Sequence, residues 1–297
     1  MKKIKLIYNP VAGNKSFSKY LDDFIKKFQK NYHISILRTQ KDGKILKRIK
    51  NIPLQNYDRF IVAGGDGTVN KVVNIIKNYN LNLPLGVIPT GTVNDFASYI
   101  KMPENISKCF DIILNNNKQK VDIGLVNRTY FINVCVGGLL SKIPHNTETN
   151  LKNKLGKIGY YINAVKEFSG FESFPIRIST RDKIIEEEVI LFLVLNTSRA
   201  GGFTNLVKKA KINDGYFDLI AIKADKVYKI PDLLVKWFQQ KILDYENAIY
   251  LKSDYFKIEL LDSKKTHHCD IDGEQGPLYP LEIYNKKQEL TVFRNRQ

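Results

Sequence analysis

The residues best suited to chemistry in this 297-residue chain are carboxylates set among glycines. Gly64-Gly65-Asp66-Gly67-Thr68, with Asn70 close behind, follows a strand from Asp58 to Ala63; Asp214-Gly215 follows the basic stretch from Lys208 to Lys211; Asp272-Gly273-Glu274 lies near the end. Three glycines remove Cβ atoms where a backbone turns sharply and approaches a ligand, and the amides opening a following helix suit an anion such as phosphate. Asp66 within that cradle would repel phosphate unless a cation lay between them, so the pairing points to a metal-nucleotide complex. Asp272 and Glu274 share a glycine turn, and phosphoryl transfer to an alcohol needs one group to accept the hydroxyl proton. Asp214-Gly215 can aim one carboxylate and nearby carbonyls at a hard cation, and read alone it is equally a plain hairpin turn.

Several other chemistries are excluded. No Gly-Lys-Ser/Thr follows the first loop, so it is not a Walker A motif, and as a dinucleotide fingerprint it fails at the last glycine, where Asn70 stands. His267-His268-Cys269-Asp270 is not a metal site, because consecutive strand residues point to opposite faces. No Gly-x-Ser-x-Gly elbow occurs. Cys109, Cys135 and Cys269 are widely spaced, which indicates neither a disulfide framework nor zinc and fits a reducing, cytoplasmic compartment.

The elements that must position these residues begin as strand, turn, helix: a strand from Ile4 to Tyr8, a turn over Asn9, Pro10 and Gly13, and a helix from Ser16 to Gln29. A strand from His33 to Arg38 ends at Thr39, and a helix over 44–50 leads to the strand before Gly64. The helix from Thr68 to Asn78 carries an apolar stripe of Val69, Val72, Val73 and Ile76 that packs on a sheet. Leu85 to Ile88 is a further strand, with Thr90-Gly91-Thr92 as its exit and a helix starting near Asn94. Open α/β sheets bind ligands at the carboxyl ends of their strands, so the Asn9, Gly64 and Thr90 turns should converge on one edge. Beyond the polar run at 115–120, strand signals dominate: 121–126, 130–136, 174–179, 187–195, 217–222, 255–261 and 281–284. The helical exceptions are 151–168 and 231–243, whose apolar faces suit either the protein's own core or a membrane surface. Two domains follow, an α/β domain over 1–120 and a mostly β domain over 121–287.

Forty-three per cent hydrophobic residues indicate a folded protein, and a formal charge of +17 favours phosphate-rich partners. No zinc finger, aromatic RNA-binding signature or helix-turn-helix accompanies that charge, so nucleic acid is not the expected partner. The longest apolar run, 189–195, falls far short of the roughly 20 residues a spanning helix needs, and the N-terminal apolar run is broken by Lys5. Membrane contact is therefore expected to be peripheral.

Gly64-Gly65-Asp66-Gly67-Thr68 resembles the nucleotide loop of a superfamily that includes diacylglycerol kinases, sphingosine kinases, NAD kinases and phosphofructokinases. Pro89-Thr-Gly-Thr92-Val-Asn94-Asp95 resembles the second motif of the diacylglycerol kinase catalytic domain, and with Asp272-Gly273-Glu274 three motifs stand in that family's order. The resemblance runs from Asn9 to Glu274. It implies an open, mainly parallel α/β domain followed by a β-sandwich-like domain, with a strand about 288–297 returning to the first. It implies a kinase that transfers the γ-phosphate of Mg-ATP to a lipid hydroxyl, with diacylglycerol as acceptor. ATP would lie on Asn9, Pro10, Gly13, Thr39, Gly64, Gly65, Asp66, Gly67, Thr68, Asn70, Thr92 and Asn94. Asp66 and Asp95 would serve the Mg-ATP side and Glu274 would be the base, with Asp272 its rival. A structural Mg²⁺ would be held by Asp214 and the carbonyls of Lys211 and Tyr216, after a glycine approach at Gly201-Gly202-Phe203 that is shorter than in many relatives. Other acceptors, a phosphatidylglycerol head group or a sphingoid base, stay open, as does a non-catalytic nucleotide- or nucleic-acid-binding protein. The expected setting is the cytoplasmic, inner face of an anionic membrane, with a homodimer left open.

Overall fold

The computed structural model describes residues 1–13, 17–39, 49, 52–138, 173–224, 230–262 and 267–295. The expected helix over 151–168, and nearly all of that over 44–50, lie outside the described residues. Strands β1 (Lys2–Tyr8), β2 (Tyr32–Arg38), β3 (Arg59–Gly64) and β4 (Leu85–Pro89) pair in parallel in the order β2-β1-β3-β4. Every residue of β3 and β4 is buried, as befits parallel strands covered on both faces. Tyr8 pairs with Arg38 and Ala63, and Gly64 with Pro89, so the turns after all four strands open at one edge.

Helices α1 (Leu21–Phe28), α2 (Asp66–Asn78), α3 (Asp95–Tyr99) and α4 (Ile106–Leu114) complete this half. Phe24 stacks on Phe28 at 4.3 Å between ring centres, and both meet Phe110 of α4 edge-on, an aromatic layer that fastens α1 to α4. Helix α2 starts two residues before the expected Thr68. Gly65 is extended, and its carbonyl accepts from the amides of Thr68 and Val69, which makes Asp66 the first helical residue.

The second half is built from β5 (Lys118–Val126), β6 (Thr129–Phe131), β7 (Val134–Gly138), β8 (Phe174–Ser179), β9 (Ile184–Leu195) and β10 (Phe217–Lys223). Helix α5 (Ile230–Phe238) follows, then β11 (Ala248–Ser253), β12 (Tyr255–Leu260), β13 (His268–Ile271), β14 (Glu274–Leu278) and β15 (Leu281–Phe293). Phe131, Phe192, Phe217 and Phe256 form the centre of its core, and a second cluster lies under Leu233 of α5. The strand expected over 130–136 is broken at Ile132 and Asn133, whose amides donate to a side chain instead of a neighbouring strand. The helix expected to reach Leu243 stops at Phe238, where Gln240 takes φ +60° and a short 3₁₀ turn follows.

Strand β15 joins the two halves. Its start pairs with β12, its length pairs with β5, and Val292 pairs in parallel with Leu85 of β4, so 15 strands form one continuous sheet. Arg59 fixes the end of that strand: its guanidinium lies 4.9 Å from the Phe293 ring and 4.7 Å from Tyr32, and donates to the Ile113 carbonyl at 3.2 Å. No helix among the described residues is long and apolar enough to cross a membrane. Replacing Arg59 with Met keeps the stem but removes two ring contacts and the hydrogen bond to a buried carbonyl, and should cost about 3 kcal/mol. Urea denaturation checks this; an unchanged midpoint would mean that β15 is held by its strand pairing alone.

Candidate active site

The glycine turns meet at the carboxyl edge of the parallel strands, where a side chain on any of several glycines would collide with the facing loop. A Cβ on Gly13, which has φ +55°, would lie 2.5 Å from the Thr90 carbonyl oxygen, and one on Gly91 would lie 2.4 Å from the Gly65 Cα. The three backbones are therefore as close as chain geometry allows. Asn9, ahead of Pro10 in the first turn, accepts from the Val11 amide and donates to Thr68 Oγ1 at 3.4 Å across the edge. Asn94, in the left-handed region, closes the third turn with both ends of its amide on the Gly91 backbone, at 2.9 and 2.7 Å. Thr92 is exposed on the rim, and Thr39 is buried at the end of β2, its amide bonded to the Tyr8 carbonyl.

Asp66 turns its carboxylate onto the next helix. Its oxygens accept from the amides of Asp95 and Phe96 at 3.1 and 3.2 Å, so the residue caps α3 from outside while opening α2. Burial raises its pKa, and those amides pull the other way. Asp95, itself buried, receives the Gly202 amide on Oδ2 at 3.0 Å and lies 4.0 Å from the Arg199 Nε. Asp66 and Asp95 thus stand together, with the Gly201-Gly202 loop closing on them from the β half.

Asp272 and Glu274 come from that half too, and they have different surroundings. Asp272 is buried with φ +50°, and four N–H groups reach its carboxylate: Asn70 Nδ2 and Ile132 N on Oδ2, both at 2.7 Å, and Asn133 N and Val134 N on Oδ1 at 2.9 and 3.0 Å. A carboxylate offers about four lone-pair directions, so none is left for a ligand hydroxyl. Burial pushes its pKa up to about 6 against the pull of these donors. Glu274 instead reaches over the glycine turn at Gly67. A Cβ on Gly67 would sit 2.5 Å from its Oε1, so this glycine makes room for the carboxylate of the opposite half. Lys71, one helical turn after Gly67, donates to the same Oε1 at 2.8 Å, and Oε2 accepts nothing among the described residues.

The Asp214 turn lies apart from these groups. Asp214 accepts from the Tyr216 amide on Oδ1 at 3.0 Å and from Lys252 Nζ on Oδ2 at 2.7 Å, while Lys211 is exposed. Among the described residues no cluster of three or more His, Cys, Asp or Glu could hold a metal. Asp122, absent from the sequence reading, is fully buried beneath this turn and accepts from Gly215 N at 2.6 Å and Gln288 N at 2.7 Å.

Sequence reasoning also missed Lys71, Asn74, Asn133 and Arg199. Asn74 pairs both ends of its amide with the backbone of Tyr130, at 2.9 Å each, and only the four-residue spacing from Asn70 on a helix hinted at a shared polar face. Lys71 bears the same spacing to Gly67. Asn133 and Arg199 sit in loops with no local signal.

Comparison with known proteins agrees with this geometry. Residues 3–126 match the model of the diacylglycerol kinase catalytic domain, and residues 138–294 match that of the YegS C-terminal NAD kinase beta sandwich-like domain. The chain is 33% identical over its whole length to the diacylglycerol kinase of Bacillus subtilis (strain 168), covering 98% of that protein. It is 32% identical to that of Staphylococcus carnosus (strain TM300), covering 98% of this chain and 95% of that one. A crystal structure of a diacylglycerol kinase from Bacillus anthracis str. Sterne superposes with a TM-score of 0.81 at 28% identity, over 99% of this chain and 97% of that chain. With an α/β half carrying a glycine cradle, a β half carrying the acidic turn, and full-length similarity to these enzymes, the chain belongs to the diacylglycerol kinase catalytic domain family.

Proposed function

We propose that this chain is an ATP-dependent kinase of a lipid alcohol, with the hydroxyl of diacylglycerol as acceptor, working at the inner face of an anionic membrane. The observation that carries the reading is the seating of Glu274 against Gly67, which puts a carboxylate from one half of the molecule at the phosphate turn of the other. The relatives' name supplies the acceptor class, and the +17 charge suits a surface rich in lipid phosphate.

The triphosphate would lie over Gly13, Gly64, Gly65, Gly67 and Thr68, with Asn9, Thr39, Asn70, Thr92 and Asn94 shaping the edge around it. Backbone amides hold the phosphates, and the close contact of Gly65 with Gly91 leaves no side chain in the way. The donor chemistry of the Asp214 turn, a carboxylate with the carbonyls of Lys211 and Tyr216, is the hard-oxygen set that Mg²⁺ takes, with Lys252 sharing the carboxylate. A Mg²⁺ held there would be structural, and the Mg²⁺ that accompanies ATP would supply the positive charge that offsets the phosphates. Asp66 and Asp95 shape the nucleotide side, and Glu274 Oε2 receives the acceptor proton. Asp272 positions Glu274 and does not meet the acceptor hydroxyl, because protein donors fill its lone pairs.

Glu274→Gln keeps the shape and should lower kcat for labelled phosphate transfer from ATP to diacylglycerol by about 10²–10⁴, with KM for ATP within about twofold. Wild-type turnover in this variant would end the base assignment. A panel with phosphatidylglycerol and a sphingoid base in place of diacylglycerol reads the acceptor directly.

Asp272 gives a second prediction, on stability. Its folded pKa of about 6 lies above the ordinary carboxylate range, so its contribution to stability is present at low pH and is lost as pH rises through 6. The unfolding free energy of the wild type minus that of Asp272→Asn should therefore fall by roughly 1 kcal/mol between pH 5 and pH 7, measured by urea titration. A difference that widens over this window would contradict the dominance of burial.

A further inference from the structure

Among the described residues, Arg199 beside Asp95 is firmly held at its backbone and left without a hydrogen-bond partner at its buried Nε. Arg199 lies on the loop after β9, between Asn196 and the Gly201-Gly202 approach to Asp95. Its amide donates to Thr197 Oγ1 at 3.1 Å, and its carbonyl accepts from Asn133 Nδ2 at 2.9 Å and Thr197 Oγ1 at 3.1 Å. Asn133 is in turn one of the donors to Asp272, so the Arg199 backbone is anchored to the network that carries the Glu274 turn.

The side chain has no such partners. Arg199 Nε is buried and donates to no acceptor among the described residues, and its ion contact is the Asp95 Oδ1 at 4.0 Å, too long for a hydrogen bond. A guanidinium presents five N–H donors in a rigid fork, and leaving a buried one unmade is costly. Asp95 meanwhile receives the Gly202 amide on its other oxygen. Lys71, a second cation near the acidic turn, is already committed to Glu274 at 2.8 Å. Among the described residues the Arg199 guanidinium, beside Asp95, is thus short of an acceptor oxygen on the side where the reaction proposed above would bring phosphate oxygens.

We propose that Arg199 is a further catalytic residue: it grips the γ-phosphoryl group of bound ATP and stays on its oxygens during transfer. This rests on the kinase reading. The acceptor oxygen forms its bond to phosphorus while the bond from phosphorus to the β–γ bridging oxygen breaks. The hydroxyl proton goes to Glu274, ADP leaves with the bonding electron pair, and Arg199 donates hydrogen bonds without gaining or losing a proton.

The test uses the full chain as wild type, Arg199→Ala and Arg199→Lys, the last retaining charge and stem as the control for folding. With diacylglycerol, which bears no phosphate, Arg199→Ala should lose about 100-fold or more in kcat, with the KM for lipid changed less than about threefold. Arg199→Lys should recover part of that loss, and added guanidinium ion should raise the rate of Arg199→Ala but not of Glu274→Gln. Calorimetric binding of ATP and ADP gives a readout independent of any lipid: the preference for ATP over ADP should fall about tenfold in Arg199→Ala. A wild-type kcat in Arg199→Ala, or an unchanged ATP preference, overturns the proposal. So does a loss seen only as a raised KM for phosphatidylglycerol, which would place the lipid's own phosphate on Arg199. If the wild type transfers phosphate to no lipid alcohol, the kinase reading fails, and the nucleotide binding comparison still decides whether Arg199 meets the γ-phosphate.

Discussion

The arrangement depends on one buried carboxylate. Asp272 cannot be left unpaired inside the protein, and the groups that satisfy it come from two places, Asn70 on α2 and the 132–134 backbone between β6 and β7, while its own amide donates back to the Val134 carbonyl. Asn74 adds a two-point pairing with the Tyr130 backbone, one turn further along α2. The helix that opens with the nucleotide turn and the loop that carries Glu274 are therefore tied as one unit. The spacing between Glu274 and Gly67 is set by a polar core, not by the length of a flexible linker.

The sheet enforces the same tie at longer range. A strand that pairs with β12 at one end and reaches β4 at the other leaves the two halves sharing a backbone ladder, so large hinge motion between them would break hydrogen bonds. Asp122 adds a stitch where β15 is irregular, since the Gln288 amide that leaves the ladder with β5 there donates to it. Its second oxygen holds Gly215, which connects the Asp214 turn to the same strand. The two sequence halves are thus distinct in composition and continuous in hydrogen bonding.

How much of this could be read from the chain follows from where each signal resides. Gly64, Gly65, Gly67 and Gly91 were legible because close approach of backbones demands glycine locally, and the apolar runs beside them are long enough to name as strands. The α/β half followed by a β half was legible for the same reason. Strand β14 was not, since Gln275-Gly276-Pro277 has poor strand propensity and owes its conformation to pairing with β13. Asp66 shows the limit of local reasoning. Sequence alone argued that a carboxylate among phosphate-binding amides needs a cation, whereas the amides of Asp95 and Phe96, some thirty residues away, already receive it. Arg199 and Asn133 are placed by contacts across the fold, which no window of sequence contains.

The number of donors each carboxylate receives orders the acids of the site and Asp122 beneath the Asp214 turn. Asp66 is received by two amides, Asp95 by the Gly202 amide with Arg199 nearby, Asp122 by two amides and Asp272 by four N–H groups. A carboxylate whose lone pairs are taken up by fixed donors has no oxygen lone pair left to meet a ligand hydroxyl, whatever its pKa. Glu274 differs in kind: Lys71 holds one oxygen, Gly67 leaves room for the group at the phosphate turn, and the second oxygen stays uncommitted. Of these five acids, it combines a fixed orientation with a free lone pair beside the nucleotide turn. Between Asp272 and Glu274, which their shared Asp-Gly-Glu turn left undecided, the base proposed is therefore Glu274, the one whose second oxygen the described residues have not already used.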